Sequence, residues 1–472
     1  MKKSLFLVFL YSLLLVGCKE ENSDVGKAYD PSQPATFTEF TPTEGAVRTR
    51  MFIKGKNFGT DETKIRVNVG GREAKVIGTD GETIYCMVPS RAYDGNVTVM
   101  FVNDKGETTQ EYTFEQKFSY QPKTVVGTLL RKVDENGRSG FSDGSFDGQA
   151  SIPYSDWLVF DPKGQGSNDK LLFSSNYHDG IRVLNLTKRT VTRLFPRSQY
   201  KEMFSFTFSV DGDTLFFPDD NGEGVSSQLA NVYYCLRSEN FRKFRPYNYG
   251  PCSYGMVCMP DGYKFYSSWT NAAIYRMGDI STGIPHIDND RELCYRLAQL
   301  VQTDGEHTRL VLHPSAKYMY LFTEGRGAIM RSNYDSKRHM FEFPTIIAGS
   351  LTSRGCSEGT GSTARFRQPW CGVFVKNREY EKVPRKDGEL YDFYFCDKEN
   401  FCVWRITPDG VASIVVGRSN YTADNKYWGY VDGDPLKEAR LNHPAGLAYD
   451  PEDEMWYIGD NENHAIRYVA VE

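Results

Sequence analysis

Seven histidines are scattered along 472 residues, with no HExxH and no His pair at the helical spacing of a metalloenzyme. A phosphate-binding P-loop and a dinucleotide-binding glycine pattern are missing too. What recurs is a mixture of aromatic and polar residues in short stretches between apolar runs. One set is Tyr154 and Trp157, Tyr254, His307 and Arg309, Gln368 and Trp370, and His443. The other is Asn176 to Asp179, Asp219 to Asn221, Trp269 to Asn271, Glu324 and Arg326, Asp397 and Asn400, and Asp460, Asn461 and Asn463. Aromatic planes beside convergent polar groups suit ligand binding, and Trp and Tyr suit stacking on sugar rings. Turns also select Asn, Asp and Gly for backbone reasons, so every one of these residues has a structural reading as well.

Composition narrows what positions them. The chain is 40% hydrophobic, 14% aromatic and 25% charged, which excludes disorder. Thirty Tyr, thirty Phe, 42 Gly and 21 Pro suit many short strands joined by turns. Net charge is −5, with 56 Lys and Arg against 61 Asp and Glu, so no basic field draws nucleic acid. The stretch Arg242-Lys243-Phe244-Arg245 reads as a solvated strand or turn.

Residues 1–18 read as a processing signal. Lys2 and Lys3 precede an apolar run from Leu5 to Val16 that is too short to span a bilayer. Leu15-Val16-Gly17-Cys18 resembles a bacterial lipobox, which implies that Cys18 is acylated and anchors the chain to a membrane. Residues 19–34 form a polar tether whose Lys19 to Asp24 resembles surface-export signals of glycan-foraging bacteria. The expected location is the outer membrane or cell surface. The remaining nine of the ten cysteines form no CxxC pair, and most read as small buried hydrophobes. A Cys252–Cys258 disulfide is compatible with an oxidising compartment.

Residues 35–120 show short period-2 runs separated by turns, the pattern of an immunoglobulin-like sandwich. Pro42-Thr43-Glu44-Gly45, Gly55-Lys56-Asn57-Phe58-Gly59, Val67-Asn68-Val69-Gly70-Gly71 and Val88-Pro89 together resemble the IPT/TIG family. That resemblance implies a spacer or interaction module.

Residues 121–472 repeat internally. Ala439-Arg440-Leu441-Asn442-His443-Pro444 leads into three strand-like runs, and Ala364-Arg365-Phe366-Arg367-Gln368-Pro369 does the same. These units resemble NHL repeats of β-propellers, in which Asp-Gly precedes the Ala-Arg step, as Asp432-Gly433 and Asp143-Gly144 do here. Weaker copies, with strand-like runs at Leu171 to Phe173, Phe204 to Phe208, Thr214 to Phe217, Lys264 to Tyr266 and Met319 to Phe322 among others, bring the total to about six four-stranded blades. The expected fold is therefore all-β: a sandwich, then a six-bladed propeller closed by pairing Thr124 to Leu130 with the C-terminal strand.

In a propeller the two recurring sets of loop residues share one face. The expected ligand site there comprises Trp269, Trp370 and Trp428, with Tyr177, Arg326, His178, His307 and His443. The favoured reading is a surface lipoprotein binding a glycan, without catalytic residues or cofactor. Two others stay open. In a hydrolase or lyase resembling propeller lactonases and lyases, His and acidic residues would hold a divalent metal in the channel. In a protein–protein scaffold, the faces would engage an outer-membrane partner.

Overall fold

The computed structural model describes residues 26–472 apart from 90, 94, 165–168, 178, 197–201, 221–229, 271, 278–290, 302–304 and 419–425. The chain divides into two compact units, one up to Lys123 and one over Thr124–Val471.

The first unit is an antiparallel sandwich. Strands run in the order Thr36–Thr41, Arg50–Lys56, Thr83–Met87, Arg72–Thr79, Ile65–Val69, Val97–Val102 and Thr108–Thr113. Arg72–Thr79 serves both layers: Arg72 to Ala74 pair with Ile65–Val69, and from Lys75 onward it pairs with Thr83–Met87, with a register shift between Val76 and Gly78. Period-2 alternation decides what is buried. Met51 and Ile53 point inward between exposed Arg50, Phe52 and Lys54, and Val67, Val69, Ile84, Cys86, Val97 and Val99 complete the core.

The second unit is a six-bladed β-propeller. Blade I comprises Trp157–Phe160, Leu171–Asn176, Gly180–Asn185 and Thr190–Pro196. Blade II comprises Thr207–Phe208, Thr214–Pro218, Ala230–Leu236 and Arg245–Tyr249, and blade III Ser253–Cys258, Lys264–Ser268, Ala273–Arg276 and Glu292–Arg296. Blade IV comprises Thr308–Leu312, Tyr318–Thr323, Gly327–Asp335 and Thr345–Ser350. Blade V comprises Pro369–Lys376, Tyr391–Asp397, Cys402–Ile406 and Val411–Gly417. Blade VI takes Pro444–Asp450, Met455–Asp460 and Ala465–Val471 from the end of the chain and its outer strand, Thr124–Arg131, from the start of the unit. The ring closes as the repeat pattern predicts. The inner strands line an apolar channel of about 510 Å³.

Neighbouring blades are latched in sequence on the lower face, where the turn leaving an inner strand meets a side chain of the next blade. Lys170 of blade I binds Asp450 of blade VI at 2.6 Å, and Arg237 of blade II binds Asp161 of blade I at 2.8 Å. Tyr334 of blade IV donates to Asp261 of blade III at 2.6 Å. Between blades IV and V the roles invert: buried His313 lies 3.0 Å from Glu389.

The Asp-Gly steps have a structural task. Asp143 and Asp432 lie in the segments entering blades I and VI, and each pairs with the buried arginine of that blade's third strand, Arg182 and Arg467. Gly433 has φ +123°, and a Cβ there would meet Glu438 Oε2 at 2.2 Å.

The structure corrects two sequence readings. Phe204 to Phe208 is not one strand, since only Thr207–Phe208 pairs. Cys252 and Cys258 are both free; Cys258 ends the extended strand that starts just after Cys252, and at about 3.3 Å per residue they stand too far apart for a disulfide.

Arg467 is fully buried and also binds Asp460 at 2.9 Å, whose carboxylate is itself fully buried. Arg467→Met strands that carboxylate without its cation and is expected to cost about 3–5 kcal/mol of stability. Chemical denaturation measures this, with Lys382→Met, in the exposed pair to Glu379, leaving the midpoint unchanged.

Candidate functional site

The upper face carries the segments entering the inner strands and the loops between second and third strands. Its acidic residues are largely spoken for by the backbone. Asp397, at the end of a second strand, accepts the N–H groups of Arg367 at 2.9 Å and Gln368 at 2.8 Å. Asp460 accepts from Asn442 at 2.6 Å, and Asp219 from Glu202 at 2.6 Å. Asn400 and Asn463, three residues further on, donate to the carboxylates of Asp397 and Asp460 at 2.7 and 2.8 Å. Burial raises both carboxyls against these donors, Asp460 to about 6. At the seam of blades I and VI, Asn461 and Asn176 each donate to Asp156 at 3.0 Å. These residues pin the entry segments in place.

The pinned segments present an arc of rings. Tyr177 of blade I stacks on Phe204 of blade II at 5.5 Å with planes 10° apart. Phe204 stacks on Tyr254 of blade III at 5.3 Å, and Tyr254 on His307 of blade IV at 3.9 Å. Tyr254 is buried, and its hydroxyl donates to Asp220; Tyr177, Phe204 and His307 are half-buried. Cations continue the arc. The Arg309 guanidinium lies 6.0 Å from the Phe204 ring and 3.8 Å from the Trp370 ring, and Lys398 Nζ lies 4.0 Å from Trp370. Glu324 sits among them, 2.8 Å from His307 Nδ1, 3.7 Å from Arg309 and 3.3 Å from Gln368. Burial pushes its carboxyl up, but the His307 hydrogen bond and the charges of Arg309, His307 and Lys398 outweigh it and leave it at about 2. The surroundings of Glu324 are therefore cationic.

The residues expected from sequence are distributed over this face. Tyr177, His307 and Trp370 belong to the arc, although Trp370 is buried rather than loop-borne. Trp269 is exposed, 42% accessible, and lies against Gly305, where a Cβ would meet its indole at 2.3 Å. Arg326 lies 3.6 Å from Glu306 and donates to the Leu351 carbonyl at 3.4 Å. Exposed Trp428 and half-buried His443 form a second group around Phe401, at 6.3 and 5.0 Å. His307 and His443 thus sit in different groups. His178 and Cys18 lie outside the described residues. Among the described residues no group of three His, Cys, Asp or Glu is placed to hold a metal ion.

Sequence reasoning missed Phe204 and Lys398. Phe204 was hidden in an alternating run. Its signal is position: it stands as far before the hairpin turn at Ser209 as Tyr254 stands before the turn at Met259. Lys398 carries no local signal.

Residues 35–120 match the IPT/TIG domain family. Among solved structures, an auxiliary nutrient binding protein from Bacteroides thetaiotaomicron is 32% identical, covering 94% of this chain and 99% of its own, with a TM-score of 0.69. Another from Bacteroides ovatus is 31% identical, covering 94% and 100%, with a TM-score of 0.71. A third protein, from Bacteroides thetaiotaomicron and named as a proposed phosphatase, is 28% identical, covering 94% and 98%, with a TM-score of 0.67. Comparison with curated proteins returns no match. At this identity over nearly its full length, the chain belongs to the same family as the Bacteroides auxiliary nutrient binding proteins.

Proposed function

We propose that the upper face of the propeller binds a glycan taken up as a nutrient, on a lipoprotein anchored at the cell surface through Cys18, with the IPT/TIG domain as spacer. One observation carries the reading: the arc Tyr177, Phe204, Tyr254 and His307, in which four blades each supply a ring in near-parallel order. Faces of this kind stack on the apolar sides of sugar rings and need no reacting group. The polar groups beside them, Glu324 and Gln368, supply orientation. The names of the two relatives above 30% identity agree with a nutrient ligand.

Affinity electrophoresis of the chain without its first 20 residues against a polysaccharide panel tests the reading, and uniform lack of retardation overturns it. Tyr177→Ala and His307→Ala remove half-buried rings and are expected to leave the fold intact while weakening retention about tenfold together, roughly 1.4 kcal/mol. Trp370→Ala is the wrong probe, because emptying a buried indole site costs about 3–5 kcal/mol of stability.

The anchor has its own test. Cys18→Ala is expected to move the protein from the membrane fraction to the soluble fraction on cell fractionation, whereas persistence in the membrane would refute acylation at that residue.

A further inference from the structure

The cation at the centre of the arc is short of acceptors. Arg309 is fully buried, and none of its Nε, Nη1 or Nη2 atoms has a hydrogen-bond partner among the described residues. The Trp370 Nε1 donor beside it is equally buried and unpartnered. A guanidinium out of water with no acceptor is costly, so such a group is built to receive one.

The neighbouring carboxylates cannot fill that role, because each is already committed. Glu324 lies 3.7 Å from Arg309, beyond hydrogen-bonding distance, and its two oxygens are held by His307 and Gln368. Glu306 faces Arg326 and accepts the Gly325 N–H at 3.1 Å. Asp397 accepts two backbone N–H groups and Asn400. Lys398 adds a second cation at the same indole and forms no ion pair among the described residues. Arg309 and Lys398 are therefore two cations at one indole whose donors the neighbouring carboxylates leave open.

We propose that the glycan bound by this face is acidic, with its oxyanion seated between Arg309, Lys398 and the Trp370 N–H. The inference rests on the glycan-binding reading and adds the chemical class of the ligand. A planar guanidinium offers paired N–H donors to a carboxylate or a sulfate ester. Reaching Arg309 needs the rim side chains His307, Gln368 and Lys398 to move aside; all three are half-exposed.

Calorimetric titration compares four probes in two pairs: oligogalacturonate with its fully methyl-esterified form, and chondroitin sulfate with its desulfated form, which keeps its uronate carboxylates. At low salt oligogalacturonate is expected to bind at least tenfold tighter than its neutral methyl ester, and the preference to shrink in 0.5 M NaCl. Preference for oligogalacturonate assigns a uronate carboxylate, and preference for chondroitin sulfate over its desulfated form assigns a sulfate ester. Lys398→Met, at a half-exposed position, is expected to weaken acidic binding about fivefold more than neutral binding. Arg309→Gln is expected to abolish the preference, with a circular dichroism spectrum checking its fold. Neutral probes binding as tightly as acidic ones, or Lys398→Met weakening both alike, overturns the inference while the glycan reading stands. If no probe and no member of the polysaccharide panel binds, both fall.

Discussion

A propeller closes only if the two ends of its chain meet in one blade, and here seven registered pairs between Thr124–Arg131 and the C-terminal strand make that meeting. Everything on the upper face depends on it. The arc of rings crosses four blades, so each ring holds its distance only while the blades hold theirs. The lower-face latches work to the same end, tying VI to I, I to II, III to IV and IV to V with one buried or half-buried polar contact apiece.

The division of labour among polar residues follows from geometry. A carboxylate at the end of a second strand faces the backbone of the segment entering the same blade, so it satisfies N–H groups that would otherwise be stranded. Asp397, Asp460 and Asp219 are consumed in this way. The side chains left for a ligand are those the backbone does not claim: the stacked rings, Arg309, Lys398 and the exposed indoles. Framework and site therefore use different residue types on one surface.

Much of the fold was legible because strand alternation and blade repetition are local signals. The strands around Leu171, Thr214, Lys264 and Met319 stand where the weaker copies of the repeat place them. The closing strand was legible for the same reason, since Thr124 to Leu130 looks like the outer strand Val411–Gly417. The alternation misled at Phe204, where a run of phenylalanines satisfies the strand pattern while pairing stops at Thr207. The site was legible only in part. Tyr177, His307 and Trp370 were flagged by type and position, but their adjacency depends on blade-to-blade distances that no short window contains. Arg309 shows this limit: an arginine beside a strand looks solvated, and only the packed ring places it, fully buried, against an indole sixty-one positions away.

The pairing of Thr124 with Val471 also fixes when the molecule can be finished. Strands within the other blades are neighbours in sequence and can form early, whereas this pair joins the two ends of the unit, Thr124 and Val471. The outer strand of blade VI is thus made first and docked last, after the longest loop closure the unit requires. Until it docks, Thr124–Arg131 has no sheet partner and Ala465–Val471 presents an open edge. Open edges of this kind pair with other chains, so the interval before docking is when the unit is most exposed to aggregation.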